Sequence, residues 1–191
     1  MLQIWSAETG ELLIQERGVQ AGLDWFQNSI ATGLGGGISI IDGQSATPIK
    51  AVALDTSDII TLAWNGTGTR IASGNLGGVV RIWDTDTSHR TSLSESLLTL
   101  NDHTSSVTSV DWNSSGTRLA SVGYDGLLNI WDAANGVLLE SHQLNAPLLT
   151  VGWSPDGSQI AYSGDVARLG SAFGLVSVAD VVAPIPTLPH R

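Results

Sequence analysis

The sequence predicts an all-β fold, a row of about four antiparallel four-stranded meanders, and three observations carry that expectation. Residues 107–132 read as three short strands joined by two tight turns. Part of that stretch occurs twice. Trp64-Asn65-Gly66-Thr67-Gly68-Thr69-Arg70-Ile71-Ala72-Ser73 returns as Trp112-Asn113-Ser114-Ser115-Gly116-Thr117-Arg118-Leu119-Ala120-Ser121, an offset of 48 residues, and Ile82-Trp83-Asp84 returns as Ile130-Trp131-Asp132 at the same offset. A third copy, Trp153-Ser154-Pro155-Asp156-Gly157-Ser158-Gln159-Ile160-Ala161-Tyr162, follows 41 residues later. A period of forty-odd residues is that of a repeat array in which each sheet buries its faces against its neighbours.

Within 107–132, Val107, Ser109 and Asp111 alternate with Thr108, Val110 and Trp112. The polar turn Asn113-Ser114-Ser115-Gly116 follows, with glycine where a positive φ is expected. Arg118 to Val122 forms a second strand. Gly123-Tyr124-Asp125-Gly126 is an Asp-Gly turn suited to antiparallel strands, and Leu127 to Trp131 is the third strand. An isolated meander with two partly apolar faces is unstable, so it needs neighbours on both sides.

These residues together resemble the WD40-repeat family of β-propellers: the Trp-Asp pairs at 83/84 and 131/132, the Ser154-Pro155-Asp156-Gly157 turn, and second strands of the Leu-Ala-Ser type. The resemblance covers about 1–180 and implies a partial propeller of about four blades, each with strands a to d from the axis outward. Leu2 to Leu13 aligns with Leu128 to Leu139 at an offset of 126, so residues 2–16 are expected to be strands c and d of an incomplete blade. Residues 19–54 form a worn first blade, with Trp25, Ile30-Ala31-Thr32 and Ile38 to Asp42, and its strand d near Ile49–Leu54. Blades at 58–100 and 104–144 follow, then an incomplete blade at 148–180, where Gly174 to Asp180 aligns with Gly126 to Asp132 and puts Ala179 where tryptophan belongs. The tail 181–191 carries Pro184, Pro186 and Pro189, which cannot supply ladder donors, and is expected to be extended or disordered.

Eight basic against eighteen acidic side chains give a net charge of −10, with Lys50 the only lysine. That balance repels phosphate backbones, so no direct nucleic-acid partner is expected, while a basic peptide or protein surface is compatible. No apolar run approaches the roughly 20 residues that span a bilayer, and the N-terminus lacks a basic segment with an apolar block behind it. A cytoplasmic chain without membrane contact is the expectation. The absence of cysteine excludes disulfides, thiol catalysis and thiolate metal sites.

In the family, a His before strand a, a Ser or Thr on b, an Asp in the b–c turn and the Trp on c form a hydrogen-bonded set. His103, Ser121, Asp125 and Trp131 match it. The same His, Asp and Ser could suggest a hydrolase triad, but a repeat-turn aspartate and a shared tryptophan favour a structural set. The second blade keeps Ser73 and Trp83 but has Gly77 at the Asp position, the first keeps Thr32, and Asp165 is a candidate in the last. His89, His142 and His190 have no ligand partner at fixed short spacing, so no metal is expected, nor any other cofactor. The glycines at 33, 35, 36 and 37 lie in a b–c turn with no helix behind them, which argues against a phosphate loop. Regularly spaced tryptophans at 25, 64, 112 and 153 and at 5, 83 and 131 argue for packing between blades rather than a sugar platform.

No catalytic constellation emerges, so the expected function is a non-enzymatic protein–protein interaction scaffold, a truncated or fragmentary propeller. The alternative is a part of a larger propeller enzyme or small-ligand binder whose site lies in missing blades. By the resemblance, partners bind the face bearing the d–a and b–c loops, at Leu34, Asp58, Leu76, Ser106 and Tyr124, with Tyr124 as the leading peptide anchor. The chain ends supply c and d at one side and a and b with a degraded c at the other, which suggests closure through a composite blade, either as a four-blade ring or as a homodimer that exchanges ends; an open, truncated arc is the arrangement favoured over both.

Overall fold

A computed structural model describes residues 2–16, 21–34, 36–45, 47–52, 57–85, 96–144, 146–164 and 173–177. All regular structure among them is strand. A two-stranded hairpin, β1 (Leu2–Trp5) and β2 (Leu12–Glu16), comes first. Three four-stranded sheets follow: β3 (Ala21–Phe26), β4 (Ser29–Leu34), β5 (Gly37–Asp42) and β6 (Pro48–Val52); β7 (Ile59–Trp64), β8 (Arg70–Asn75), β9 (Val79–Asp84) and β10 (Leu98–Asn101); β11 (Val107–Trp112), β12 (Arg118–Gly123), β13 (Leu127–Asp132) and β14 (Leu138–Gln143). The last sheet holds β15 (Leu148–Trp153), β16 (Gln159–Gly164) and β17 (Phe173–Ser177). Every pairing is antiparallel and sequential, so each sheet is a meander.

The turns explain the repeats. Asn113 Oδ1 accepts the N–H groups of Thr117 and Arg118, and Gly116 adopts φ +67°, which closes the β11–β12 turn as a side-chain-capped loop. Asn65 does the same for Thr69 and Arg70. Asn113 and Asn65 are both buried, so the turn residue that follows the tryptophan is part of the core.

The sheets stack side by side, with β3 against β7, β7 against β11, and β11 against β15. Three apolar cores fill the three seams. The first joins Ala31, Ile38 and Ile40 to Ile59, Leu62, Ile71 and Trp83. The second joins Ala63, Ala72, Val80 and Ile82 to Val107, Val110, Trp112, Leu119 and Trp131. The third joins Ala120, Val122, Leu128 and Ile130 to Leu148, Val151 and Ile160. A full burial contributes about 1.5–3 kcal/mol per large aliphatic side chain, so stability resides in the contacts between repeats.

Three expectations change. The outer strand of the first sheet is Pro48–Val52, displaced toward the N-terminus from 49–54; residues 53–56 lie outside the described residues. In the last sheet Ile160 pairs with Val176, as Leu119 pairs with Trp131, so Val176 and not Ala179 stands at the tryptophan place. The alignment on Gly174 fails because that glycine is inside the strand, opposite Tyr162. Finally, the two chain ends overlap rather than complement: β1 aligns with the third strand of a blade, and β17 already fills the third place of the last sheet. Only the fourth place beside β17 is unfilled among the described residues. The insertion after Gly164, Asp165 and the tail 181–191 lie outside the described residues.

Candidate functional site

The third sheet carries the most elaborate polar cluster. His103 stands just ahead of β11, Ser121 on β12, Asp125 in the β12–β13 turn and Trp131 on β13. His103 Nδ1 lies 3.0 Å from Asp125 Oδ2, and Nε2 lies 2.8 Å from Ser121 Oγ. The Trp131 indole N–H donates to the same Oγ at 2.9 Å. Asp125 also accepts the N–H groups of Thr104 and Leu127. Burial pushes the Asp125 carboxyl up, but the Leu127 N–H, the adjacent His103 and the Thr104 N–H outweigh it and hold the group below the usual carboxylate range.

The connectivity Asp–His–Ser is that of a hydrolase triad, yet the chemistry is not available. Ser121 is 0% exposed and its oxygen is already held by the indole N–H, so no substrate carbonyl can approach it. The cluster ties the loop ahead of the sheet to its second and third strands. A buried, fully bonded set of this kind fixes one arrangement of the chain.

The second sheet solves the same problem with different residues. Trp83 Nε1 donates to Ser73 Oγ at 2.8 Å, as Trp131 does to Ser121. Gly77 occupies the sequence position of Asp125 and offers no acceptor. Asn75, two residues earlier, supplies it: its Oδ1 accepts the Val79 N–H at 2.9 Å, the counterpart of the Leu127 N–H. Asn75 is buried, and it is a site residue that repeat alignment missed because it falls at the place of Gly123. Thr32 is buried on the first sheet.

The seams carry a second polar pattern. Asp24 Oδ2 accepts the Trp64 N–H of the next sheet, and Asp111 Oδ2 accepts the Trp153 N–H at 2.7 Å. The intervening first strand has Ala63 at this place, and there the Trp112 indole donates to the Ala63 carbonyl instead. Burial raises the Asp111 carboxyl above its ordinary value against the pull of the Trp153 and Trp112 N–H groups. The expectation that all seven tryptophans pack between repeats is only partly met. Trp83, Trp112 and Trp131 are buried, but Trp25 and Trp5, the latter on the two-stranded hairpin, are exposed.

On the face bearing the b–c turns, Leu76 and Tyr124 occupy equivalent positions and are 49% and 52% exposed. Ser106 lies between them: its hydroxyl donates to the Leu76 carbonyl at 3.0 Å and its carbonyl accepts the Tyr124 N–H. Exposed Asp58 repeats that backbone bond, accepting the Leu76 N–H. Leu34 does not join them. It is the last residue of β4, paired with Gly37, and falls at the place of Asn75 rather than Leu76. The first sheet's b–c connection is one residue shorter, with four residues between the partners Gly33 and Ile38 against five between Val122 and Leu128, and alignment on the turn glycines hides that difference. His142 sits on β14 beside Glu140, while His89 and His190 lie outside the described residues.

The model described as "WD domain, G-beta repeat" matches residues 46–84 and 94–132. A curated relative from Arabidopsis thaliana, "Cell division cycle 20.1, cofactor of APC complex", is 31% identical over 109 residues, 54% of this chain and 24% of its own length. The chain carries two matched repeats of the WD40 family. Among solved structures, a chain of the "Crystal Structure of Mitotic Checkpoint Complex" superposes with a TM-score of 0.76 at 24% identity, covering 93% of this chain and 58% of that one. The computationally designed Ika8 protein gives 0.73 at 19% identity, covering 92% and 52%. These likenesses establish the propeller architecture of the WD40 blades. The WD40 chain spans about a quarter of the curated relative and a little over half of the two solved chains.

Proposed function

We propose that the chain is a non-enzymatic WD40 interaction scaffold whose partner, a protein or peptide, docks on the b–c turn face of the second and third blades. One observation carries the reading. Two large apolar side chains, Leu76 and Tyr124, stand exposed at equivalent places of adjacent blades, and Ser106 ties their turns together into one surface. An aromatic anchor beside an aliphatic one, on rigid turns, is the composition of a peptide hot spot. Exposed Asp58 and the net charge of −10 favour a basic partner. The curated relative's description as a cofactor of a complex supports a scaffold role. His103, Ser121, Asp125 and Trp131 serve in this reading to hold the Tyr124 turn in place.

The test is quantitative capture with three immobilised forms: wild type, the Leu76→Ala/Tyr124→Ala pair, and Val137→Ala, whose exposed side chain lies in the turn at the far end of β13. Proteins retained by wild type and Val137→Ala but lost by the pair support the face. Retention by all three forms alike would sink it. A homodimer by exchanged ends takes one form on this geometry, in which the hairpin β1–β2 of one copy displaces β17 of another. Light scattering after deletion of residues 1–16 tests it: a dimer that persists unchanged rules that exchange out.

A further inference from the structure

At the opposite end of the same blades lies a hollow of about 610 Å³, lined by Arg70, Thr117, Arg118, Asp132, Ala134 and Leu139, with Gly116 at its side. We propose that this hollow binds an acidic side chain of a partner polypeptide, a glutamate or aspartate flanked by an apolar residue. The sequence builds it through the capped turns described above. Asn65 and Asn113 fix the backbone N–H groups of Arg70 and Arg118, so both arginines leave the first position of a second strand at a set direction. The Arg70 guanidinium is held further, since its Nη1 donates to the Ala133 carbonyl of the next blade at 2.8 Å. That bond uses one of five N–H groups, and the rest of the fork lines the hollow in a fixed orientation.

The local charge is the reverse of the chain's. Two of its eight basic residues meet here, in a protein of net charge −10. Asp132, the acid in the lining, is engaged by its own turn: Oδ1 accepts the Ala134 N–H and Oδ2 the Asn135 amide. Leu139 and Ala134 give the apolar wall that a methylene-bearing acid or its neighbour would cover. A planar guanidinium recognises a carboxylate in two-pronged fashion, which a neutral amide cannot reproduce. The hollow is separate from the Tyr124 face, because β12 runs from Arg118 at one end to the residue before Tyr124 at the other, roughly 17 Å at 3.4 Å per step.

The experiment titrates fluorescein-labelled peptides into the full chain, one with two central glutamates flanked by leucines and one with glutamines in their place. The expected result is saturable, salt-sensitive binding of the glutamate peptide alone, weakened about tenfold or more by Arg70→Gln and substantially by Arg70→Lys, which keeps the charge without the fork. The Leu76→Ala/Tyr124→Ala pair should bind this peptide as wild type does, so failure of the hollow and failure of the b–c turn face are told apart. Because Arg70→Gln also removes the bond to Ala133, its melting curve is taken, and the side-chain N–H resonance of Arg70 in wild type provides a second readout that should shift on titration. Equal binding of both peptides, no saturable binding, or an unmoved Arg70 resonance would overturn the proposal.

Discussion

Replacing Ser121 by alanine removes one oxygen on which two buried groups depend, and comparison with Ser73→Ala isolates the consequence. In the third blade the hydroxyl accepts the Trp131 indole N–H and meets His103 Nε2; in the second, Ser73 accepts only the Trp83 indole N–H among the bonds that correspond. A buried polar group left without a partner costs about 1–3 kcal/mol. Ser121→Ala strands two such groups, for a loss of roughly 2–6 kcal/mol, whereas Ser73→Ala strands one, for about 1–3 kcal/mol. Both serines are fully or almost fully buried on the same strand position, so the lost packing volume cancels in the comparison. At about 2–4 °C per kcal/mol for a chain of this size, the third-blade variant should melt several degrees below the second-blade one. Circular dichroism melts at pH 7, backed by urea titrations, measure the difference. The double variant Ser121→Ala/Trp131→Phe supplies the control, since removing the stranded indole N–H should recover part of the loss. If Ser73→Ala were as damaging as Ser121→Ala, the histidine would contribute nothing to the cluster and the reasoning would fail.

Two further outcomes follow from the same structure. Trp131→Ala should cost about 3–5 kcal/mol, typical of truncating a buried tryptophan, while Trp5→Ala, at a side chain 55% exposed, should move the urea midpoint little. Two of the aspartates with shifted carboxyls, Asp125 and Asp111, should respond to pH with opposite signs. Asp125 is depressed, so its contribution is complete above the unfolded value of about 4 and disappears as pH falls through the lower folded value; Asp125→Asn should destabilise at pH 7 and flatten the acid limb. Asp111 is raised, so its contribution is complete below about 4 and is lost as pH rises through the folded value; Asp111→Asn, which keeps an acceptor for the Trp153 N–H, should melt no lower than wild type at pH 7. Melting temperatures at pH 3, 5 and 7 check both.

Much of the fold is legible in the sequence because the repeat is dictated by local chemistry. A Trp-Asn-x-x-Gly turn caps its own backbone, and an Asp-Gly turn sets the next reversal, so strands β7 to β13 can be placed from residues within each repeat. Ser121, Asp125 and Trp131 are legible for the same reason. What alignment cannot supply is a function performed by a different residue at a different offset. Asn75 caps the second blade's turn from two positions before Gly77, since the amide reaches the N–H that an aspartate would have taken. Leu34 and Val176 are displaced by turn and loop lengths that shift register without altering the hydrophobic pattern.

The seams show how repeats of unequal quality hold together. Between the third and fourth blades, Asp111 accepts the Trp153 N–H, its carbonyl accepts the Trp153 indole, and Thr108 donates to the Leu148 carbonyl. Between the second and third, the Trp112 indole and Arg70 cross to backbone carbonyls of the neighbouring blade. Between the first and second, Asp24 meets the Trp64 N–H, but the buried Trp64 indole nitrogen has no acceptor among the described residues. An unsatisfied buried donor costs free energy that a satisfied one does not, and in a row of repeats each seam opens by its own stability. The first seam is therefore the weakest on polar grounds, and the better-tied row of second to fourth blades includes the two that carry Leu76, Ser106 and Tyr124 at one end and Arg70 and Arg118 at the other. Both proposed contact surfaces thus sit where the chain loses least entropy on binding, which is the physical reason to look for partners there before looking at the worn blades.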